Sequence, residues 1–264
     1  MSNHPIDLAA NTVIAAPAHH VLHRDYETRG VLQLQNVGPW KYAADNRTEV
    51  LCCTFCVDDG PVKLWLPGDP VPPEFLEAAR DPGWWVCAHN AQFELAIEHL
   101  IMRRRHGWPK ISLRQQRCTM AAALALALPA KLELVAEALE LQHQKDRAGQ
   151  RLMVMMSKPR HPRKDEDPEG SYWFEDEDRR LRLYEYCRRD VEIERELYQQ
   201  LRPLPPRSNS CGYWTCALMR AASTSTAIGR RCSCGSTSSR SGTQRRARSV
   251  DRRSRHQHQP DSAA

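Results

Sequence analysis

No run of about 18 apolar residues occurs in the 264-residue chain, which excludes an ordinary membrane-spanning helix. The N-terminus lacks the charged-then-apolar pattern of a secretory signal. The ten cysteines are scattered, unlike those of a small disulfide-stapled domain. These absences point to an intracellular, reduced protein with no membrane span expected. Lysine and glutamate are both missing from Arg207 to the end, where eleven arginines and two aspartates give +9. The whole chain carries +6, so residues 1–206 carry −3. The basic balance belongs to the tail, and net charge alone is no ground for nucleic-acid binding by the rest.

Residues 1–18 are polar and Ala-rich and read as a flexible leader. The region 204–264 reads as a disordered basic tail: from Arg207 it has twelve Ser, one Leu and no helical or strand period. Read one nucleotide out of frame, permitted codons from Arg207 onward can spell Glu-Gln-Gln-Leu-Trp-Val-Leu-Asp, then Ile-Asn-Ala-Arg-Gly-Phe-Tyr-Ile-Asp. That string has an amphipathic helix pattern, a Gly turn and a strand. It predicts a frameshifted or truncated gene whose original product was longer, which the nucleotide sequence decides.

Between these ends, strands and helices alternate. Val21 to Asp25, Val50 to Val57, Val62 to Leu66 and Trp84 to Ala88 read as strands, with a further one after Gly30 through Val31, Leu32 and Leu34. Pro72-Pro73-Glu74 opens a helix. Asn90 caps another through Arg103, with Phe93, Ile97, Leu100 and Ile101 at helical spacing. Ala121 to Leu128, Leu132 to Leu141 and Leu181 to Leu201 follow as helices. The prolines in Lys158 to Lys164 make that basic run a loop, followed by the acidic stretch Glu166 to Asp178. The alternation argues for an α/β fold with a mixed sheet.

Three short patterns carry chemistry. Asp25-Tyr26-Glu27 puts two carboxylates on one face of a strand, where like charges repel unless a cation lies between them. Ala88-His89-Asn90-Ala91-Gln92-Phe93-Glu94 delivers His89 and Asn90 to a loop and Glu94 to the first turn of a helix. Tyr186 and Asp190, four apart, share a helix face. Taken singly, each also fits a solvated pair, a capped helix or a plain amphipathic helix. Cys52, Cys53, Cys56, Cys232 and Cys234 do not form the matched ligand pairs of structural zinc.

In order and spacing the three patterns resemble the DEDD 3′–5′ exonucleases of the DnaQ-like, ribonuclease H-like fold, with Tyr-x-x-x-Asp marking the tyrosine branch. The likeness covers about residues 19 to 203 and is nearest to the proofreading domain of phage and bacterial family A DNA polymerases. Cys118-Thr119-Met120, Lys145-Asp146-x-x-Gly149 and Lys158-Pro159-Arg160 look like the same subgroup. The out-of-frame string resembles the segment that leads into such a polymerase domain.

The resemblance implies an α/β, ribonuclease H-like mixed β-sheet flanked by helices. It implies two Mg²⁺ or Mn²⁺ ions held by Asp25, Glu27, Glu94 and Asp190, with Tyr186 orienting the attacking water. Asp25 would bridge both ions, Glu27 and Asp190 would complete the tighter site, and Glu94 would serve the other, through water. The implied substrate is a single-stranded DNA 3′ end, released as 5′-mononucleotides, with RNA as the alternative. A non-catalytic nucleic-acid-binding remnant is the alternative of another class. Candidate substrate contacts are Thr28 beside Glu27, His89 and Asn90 at the terminal nucleotide, Phe93 as base contact or core residue, and Lys158 and Arg160 along the backbone. A polymerase domain acting in trans is an implied partner, and the cytoplasm of a bacterial or phage-infected cell the implied location. Glu94 departs from the usual aspartate and is one methylene longer.

Overall fold

The computed structural model describes residues 20–201. The leader, the tail with its out-of-frame reading, and Cys232 and Cys234 lie outside the described residues. The elements in chain order are β1 (His20–Arg29), α1 (Leu34–Ala44), β2 (Glu49–Val57), β3 (Lys63–Trp65), α2 (Pro73–Arg80), β4 (Trp84–Ala88) and α3 (Ala91–Ile97). A π-helical turn (Glu98–Met102) joins α3 to the single turn α4 (Arg103–Arg105). Then come β5 (Gln116–Cys118), α5 (Thr119–Ala125), α6 (Leu132–Ala138), α7 (Arg147–Met156) and α8 (Glu177–Leu201). No helix among the described residues is long and apolar enough to cross a membrane.

The five strands form one mixed sheet in the order β3-β2-β1-β4-β5. β1 pairs antiparallel with β2 and parallel with β4, so it lies at the centre. Its alternation divides it chemically. Leu22 and Tyr26 point into the main apolar core with Phe55, Trp65, Phe75, Val86, Ile97 and Trp108. His23, Asp25 and Glu27 point the other way, toward α8.

α8 has a buried stripe at Leu183, Tyr186, Cys187, Asp190, Ile193, Glu194, Leu197 and Leu201, spaced three and four apart. Its ends are apolar and pack against α7 and Phe174 at one side and α5 and α6 at the other. Its middle is polar and lies over the acids of β1. The register is pinned by Glu194, which accepts hydrogen bonds from His23 Nδ1 at 2.6 Å and Cys87 Sγ at 3.0 Å. Burial pushes the Glu194 carboxyl up, but His23 and Cys87 outweigh it and hold it below its usual range.

Several sequence expectations need correction. Val31, Leu32 and Leu34 form no strand: the chain leaves the sheet after Arg29 and enters α1. Gly30 makes the turn against Tyr42, where a Cβ would stand 2.8 Å from the ring and 2.9 Å from Thr48 Oγ1. α1 carries Gly38 at φ +74° and then Pro39, residues of poor helix propensity that hide it from a periodicity reading. α7 was not expected either; its start is marked by Asp146, whose side chain accepts hydrogen bonds from the Ala148 and Gly149 amides. Asn90 does precede α3, but at φ +67° and without a side-chain cap bond. Cys52 and Cys53 are adjacent on β2 and so face opposite sides of the sheet.

Candidate active site

Asp25 stands opposite Thr54 and Glu27 opposite Cys52 on β2, and an irregularity between Glu27 and Thr28 shifts the register beside the acids before pairing resumes at Thr28 and Val50. From above, α8 contributes Tyr186, Cys187 and Asp190. Oxygens of Asp25 and Glu27 and the sulfur of Cys187 lie within 4.8 Å of one another. Asp190 Oδ2 accepts a hydrogen bond from Lys145 Nζ at 2.5 Å, while Asp190 Oδ1 is buried without a partner. Asp25, Asp190, Lys145, Lys131, His89 and Gln150 line one cavity of about 350 Å³. A larger cavity, about 560 Å³, opens around Arg29, Arg105 and Arg180 and includes none of the four acids.

The electrostatics of the cluster are those of too many acids for the cations present. Burial, helped by the charge of Asp190 and opposed by Lys145, pushes Asp25 up to about 7. Burial and the nearby Asp25 hold Glu27 well above the usual carboxylate range. Glu94 is raised by burial first and by Asp25 next. Asp190 is raised by burial in spite of Lys145. Burial also raises the Tyr186 phenol, so it stays protonated at neutral pH.

These residues fit a divalent cation. The donors are hard carboxylate oxygens, Asp190 Oδ1 is an orphaned buried acceptor, and added positive charge would relieve every upward shift. Glu94 fits less directly. Its side chain is buried on α3 with Oε2 unpartnered, and its charge couples to both Asp25 and Arg24. It is not part of the compact set that Asp25, Glu27 and Cys187 form.

The structure sorts the expected substrate contacts. His89 lines the cavity, with Nδ1 3.1 Å from Thr119 Oγ1 and Nε2 2.8 Å from the Ala130 carbonyl. Burial lowers its pKa, so it is neutral. Asn90 stands next to it in left-handed backbone. Thr28 is buried and bonded to the Tyr42 hydroxyl at 3.1 Å, which makes it a core residue. Phe93 packs against the main core beside Tyr42, the core alternative for that residue. Arg160 is committed to Glu166 through two hydrogen bonds of 2.6 Å, because the acidic stretch folds back onto the basic loop. Its charge is thereby paired, whereas Lys158 stays exposed.

Pattern reading left Lys131, Lys145, Gln150 and Cys187 out of the site, and two of these contact its acids. Lys145 arrives through the Lys145-Asp146-x-x-Gly149 motif, which the structure explains. Asp146 starts α7, and Gly149 lets that helix approach Tyr186, where a Cβ would lie 2.6 Å from the ring. The motif itself was the available signal. Cys187 had no signal, since only the packing of α8 on β1 brings it to Asp25.

The chain matches no protein-family model. It is 31% identical over 196 residues to the DNA polymerase of Bacillus phage SP02, covering 72% of this chain and 29% of that polymerase. The chain thus spans less than a third of that relative's length. Among solved structures, NrnC of Brucella melitensis is 12% identical, with 81% of this chain and 91% of NrnC covered and a TM-score of 0.45. A structure of the same protein with bound Mg²⁺ has a TM-score of 0.43 at 12% identity, covering 81% and 90%. Escherichia coli RNase D, an exoribonuclease involved in structured RNA processing, is 14% identical, covering 78% of this chain and 44% of its own, at a TM-score of 0.45. The described residues thus form an α/β fold on a mixed sheet, whose central strand and long helix carry acid motifs in order, and the polymerase match makes the chain a relative of a phage DNA polymerase.

Proposed function

We propose that the protein is a metal-dependent 3′–5′ exonuclease acting on single-stranded DNA ends and releasing 5′-mononucleotides. The observation that carries this reading is the cavity between β1 and α8, where Asp25 and Asp190 face Lys145, Lys131 and His89. Acids short of positive charge, beside cationic and neutral donors, suit a phosphodiester and divalent cations together. The kinship to a DNA polymerase favours DNA as substrate.

Asp25, Glu27 and Asp190 would hold the cations, with Glu94 as a fourth, more distant acid reaching through water. Bound Mg²⁺ or Mn²⁺ would supply Lewis-acid polarisation of the phosphate and neutralise its charge. Tyr186 acts as a protonated phenol, so it orients a water by hydrogen bonding and does not serve as a base. Lys145 balances Asp190 until the site is loaded, and Lys131 at the cavity wall meets substrate phosphate. His89 and Asn90 shape the subsite of the terminal nucleotide. A polymerase supplied in trans would make this a proofreading activity.

The test is hydrolysis of a 5′-labelled single-stranded DNA oligonucleotide with Mg²⁺ or Mn²⁺, beside the same RNA and beside Asp25→Ala. A ladder shortening from the 3′ end, abolished by chelator and by the substitution, is the expected result. Faster cleavage of RNA would reassign the substrate. A folded protein with no metal-dependent product would favour the second reading, a non-catalytic nucleic-acid-binding module. That reading draws on Glu94, which stands where the usual pattern has aspartate and lies outside the compact set of Asp25, Glu27 and Cys187.

A further inference from the structure

The acid cluster contains a sulfur atom. Cys187 lies one turn before Asp190 on α8 and is fully buried, with its Sγ 3.4 Å from Asp25 Oδ2. One oxygen each of Asp25 and Glu27 completes a set of three potential ligand atoms within 4.8 Å of one another. Beside them the buried Asp190 Oδ1 has no partner, and the Asp190 charge acts on both carboxylates. A second sulfur-containing cluster, His23, Cys87 and Glu194, is as compact. There, however, both carboxylate oxygens already accept hydrogen bonds, and nothing is left wanting a cation.

We infer that Cys187 is a soft third ligand at the Asp25–Glu27 position, so that the centre takes a thiophilic divalent cation, Cd²⁺ or Zn²⁺, through two carboxylates and one thiolate. The inference rests on the reading that Asp25 and Glu27 hold a metal. Mg²⁺ prefers oxygen and gains nothing from sulfur, whereas Zn²⁺ and Cd²⁺ bind thiolate strongly. On binding, the Cys187 S–H proton passes to solvent and the sulfur–metal bond replaces the contact with Asp25 Oδ2. Thr54 Oγ1 already donates a hydrogen bond to this sulfur at 3.1 Å. Such an outer contact orients a ligand sulfur. A thiophilic cation seated here competes with Mg²⁺ or Mn²⁺ for Asp25 and Glu27 and arrests the site.

The test uses the full chain in a thiol-free reductant. Cd²⁺ binding is followed by the ultraviolet sulfur-to-cadmium charge-transfer band in the wild type and in Cys187→Ser. X-ray absorption at the cadmium edge, with one equivalent bound to the wild type, reads the ligand shell. One sulfur with the remainder oxygen is expected, and Cys187→Ser should lose that sulfur and bind Cd²⁺ more than about 100-fold more weakly, beyond the range typical of outer contacts to a metal. An all-oxygen shell, a shell of several sulfurs, or an unchanged titration in Cys187→Ser overturns the inference. The wild-type spectrum decides even where the variant does not fold. Mg²⁺-dependent hydrolysis of single-stranded DNA by the wild type separates the two readings. A mixed shell without hydrolysis keeps this inference and removes the exonuclease, and hydrolysis with an all-oxygen shell does the reverse.

Discussion

Lys145 Nζ lies 2.5 Å from Asp190 Oδ2 and 4.9 Å from the centre of the Tyr186 ring, so one ammonium touches both ends of the Tyr-x-x-x-Asp motif. Both partners of the ion pair are nearly buried. Replacing Lys145 by Met strands the Asp190 carboxylate without a counter-charge. The metal-free protein should lose about 3–5 kcal/mol of stability. Saturating Mn²⁺ should restore most of it, because the cation takes over the balancing role. Urea denaturation with chelator and with Mn²⁺ measures both numbers; an equal loss in the two conditions would remove the proposed role of Lys145.

The raised acids make a pH prediction whose sign is opposite to that of an ordinary salt bridge. A carboxyl whose folded pKa lies above its unfolded value favours the folded state at low pH, and that contribution is lost as pH rises through the window between them. For Asp25 the window runs from 3.8 to about 7. Glu27 and Glu94 add to it in the same direction. Glu194, held below its usual range, works the other way and loses its contribution only in acid. In chelator, the melting temperature should therefore fall as pH rises across this window. With Mg²⁺ or Mn²⁺ present the fall should shrink, because the cations stabilise the ionised acids.

Glu94 and Asp25 should differ in their importance. Asp25 lines the cavity, and Asp25→Asn should cost more than about 100-fold in turnover, beyond the range typical of outer contacts to a metal. Glu94 is buried and stands outside the compact set of Asp25, Glu27 and Cys187, and Glu94→Gln should cost about 10- to 100-fold. Steady-state kinetics of the two variants against Mn²⁺ concentration would show it. Equal losses would make Glu94 a direct ligand.

Gly149→Ala should disturb the site from a distance. Its Cβ would fall 2.6 Å from both Asp146 Oδ2 and a Tyr186 ring carbon, so α7 or the tyrosine must move. Overpacking of this kind costs about 1–3 kcal/mol. The expected outcome is a lower melting temperature together with a fall in kcat that exceeds the fall in metal affinity, since Tyr186 is displaced while Asp25 and Glu27 are not.

Much of the site was legible in the chain because its chemistry is written in local spacing. Asp25 and Glu27 share a face for any strand, and Tyr186 and Asp190 share one for any helix. β4 and α8 were also readable, since an apolar run or a long period of three and four survives without knowledge of its partner. α1 was not, because Gly38 and Pro39 break its period, and α7 was recognisable only by its capping Asp146.

By itself, then, the sequence determined the motif order, the acids, the central strand and the long helix, all of which depend on contacts within a few residues. Only the tertiary structure decided which neighbours those acids keep. It put Lys145 on Asp190 and Cys187 beside Asp25, packed Phe93 against the core, bonded Thr28 to Tyr42, tied Arg160 to Glu166 and buried Glu94 with one oxygen unpartnered. These are pairings between segments up to 162 residues apart. The longest of them is set by how α8 packs across the sheet, which no periodicity within either segment can encode.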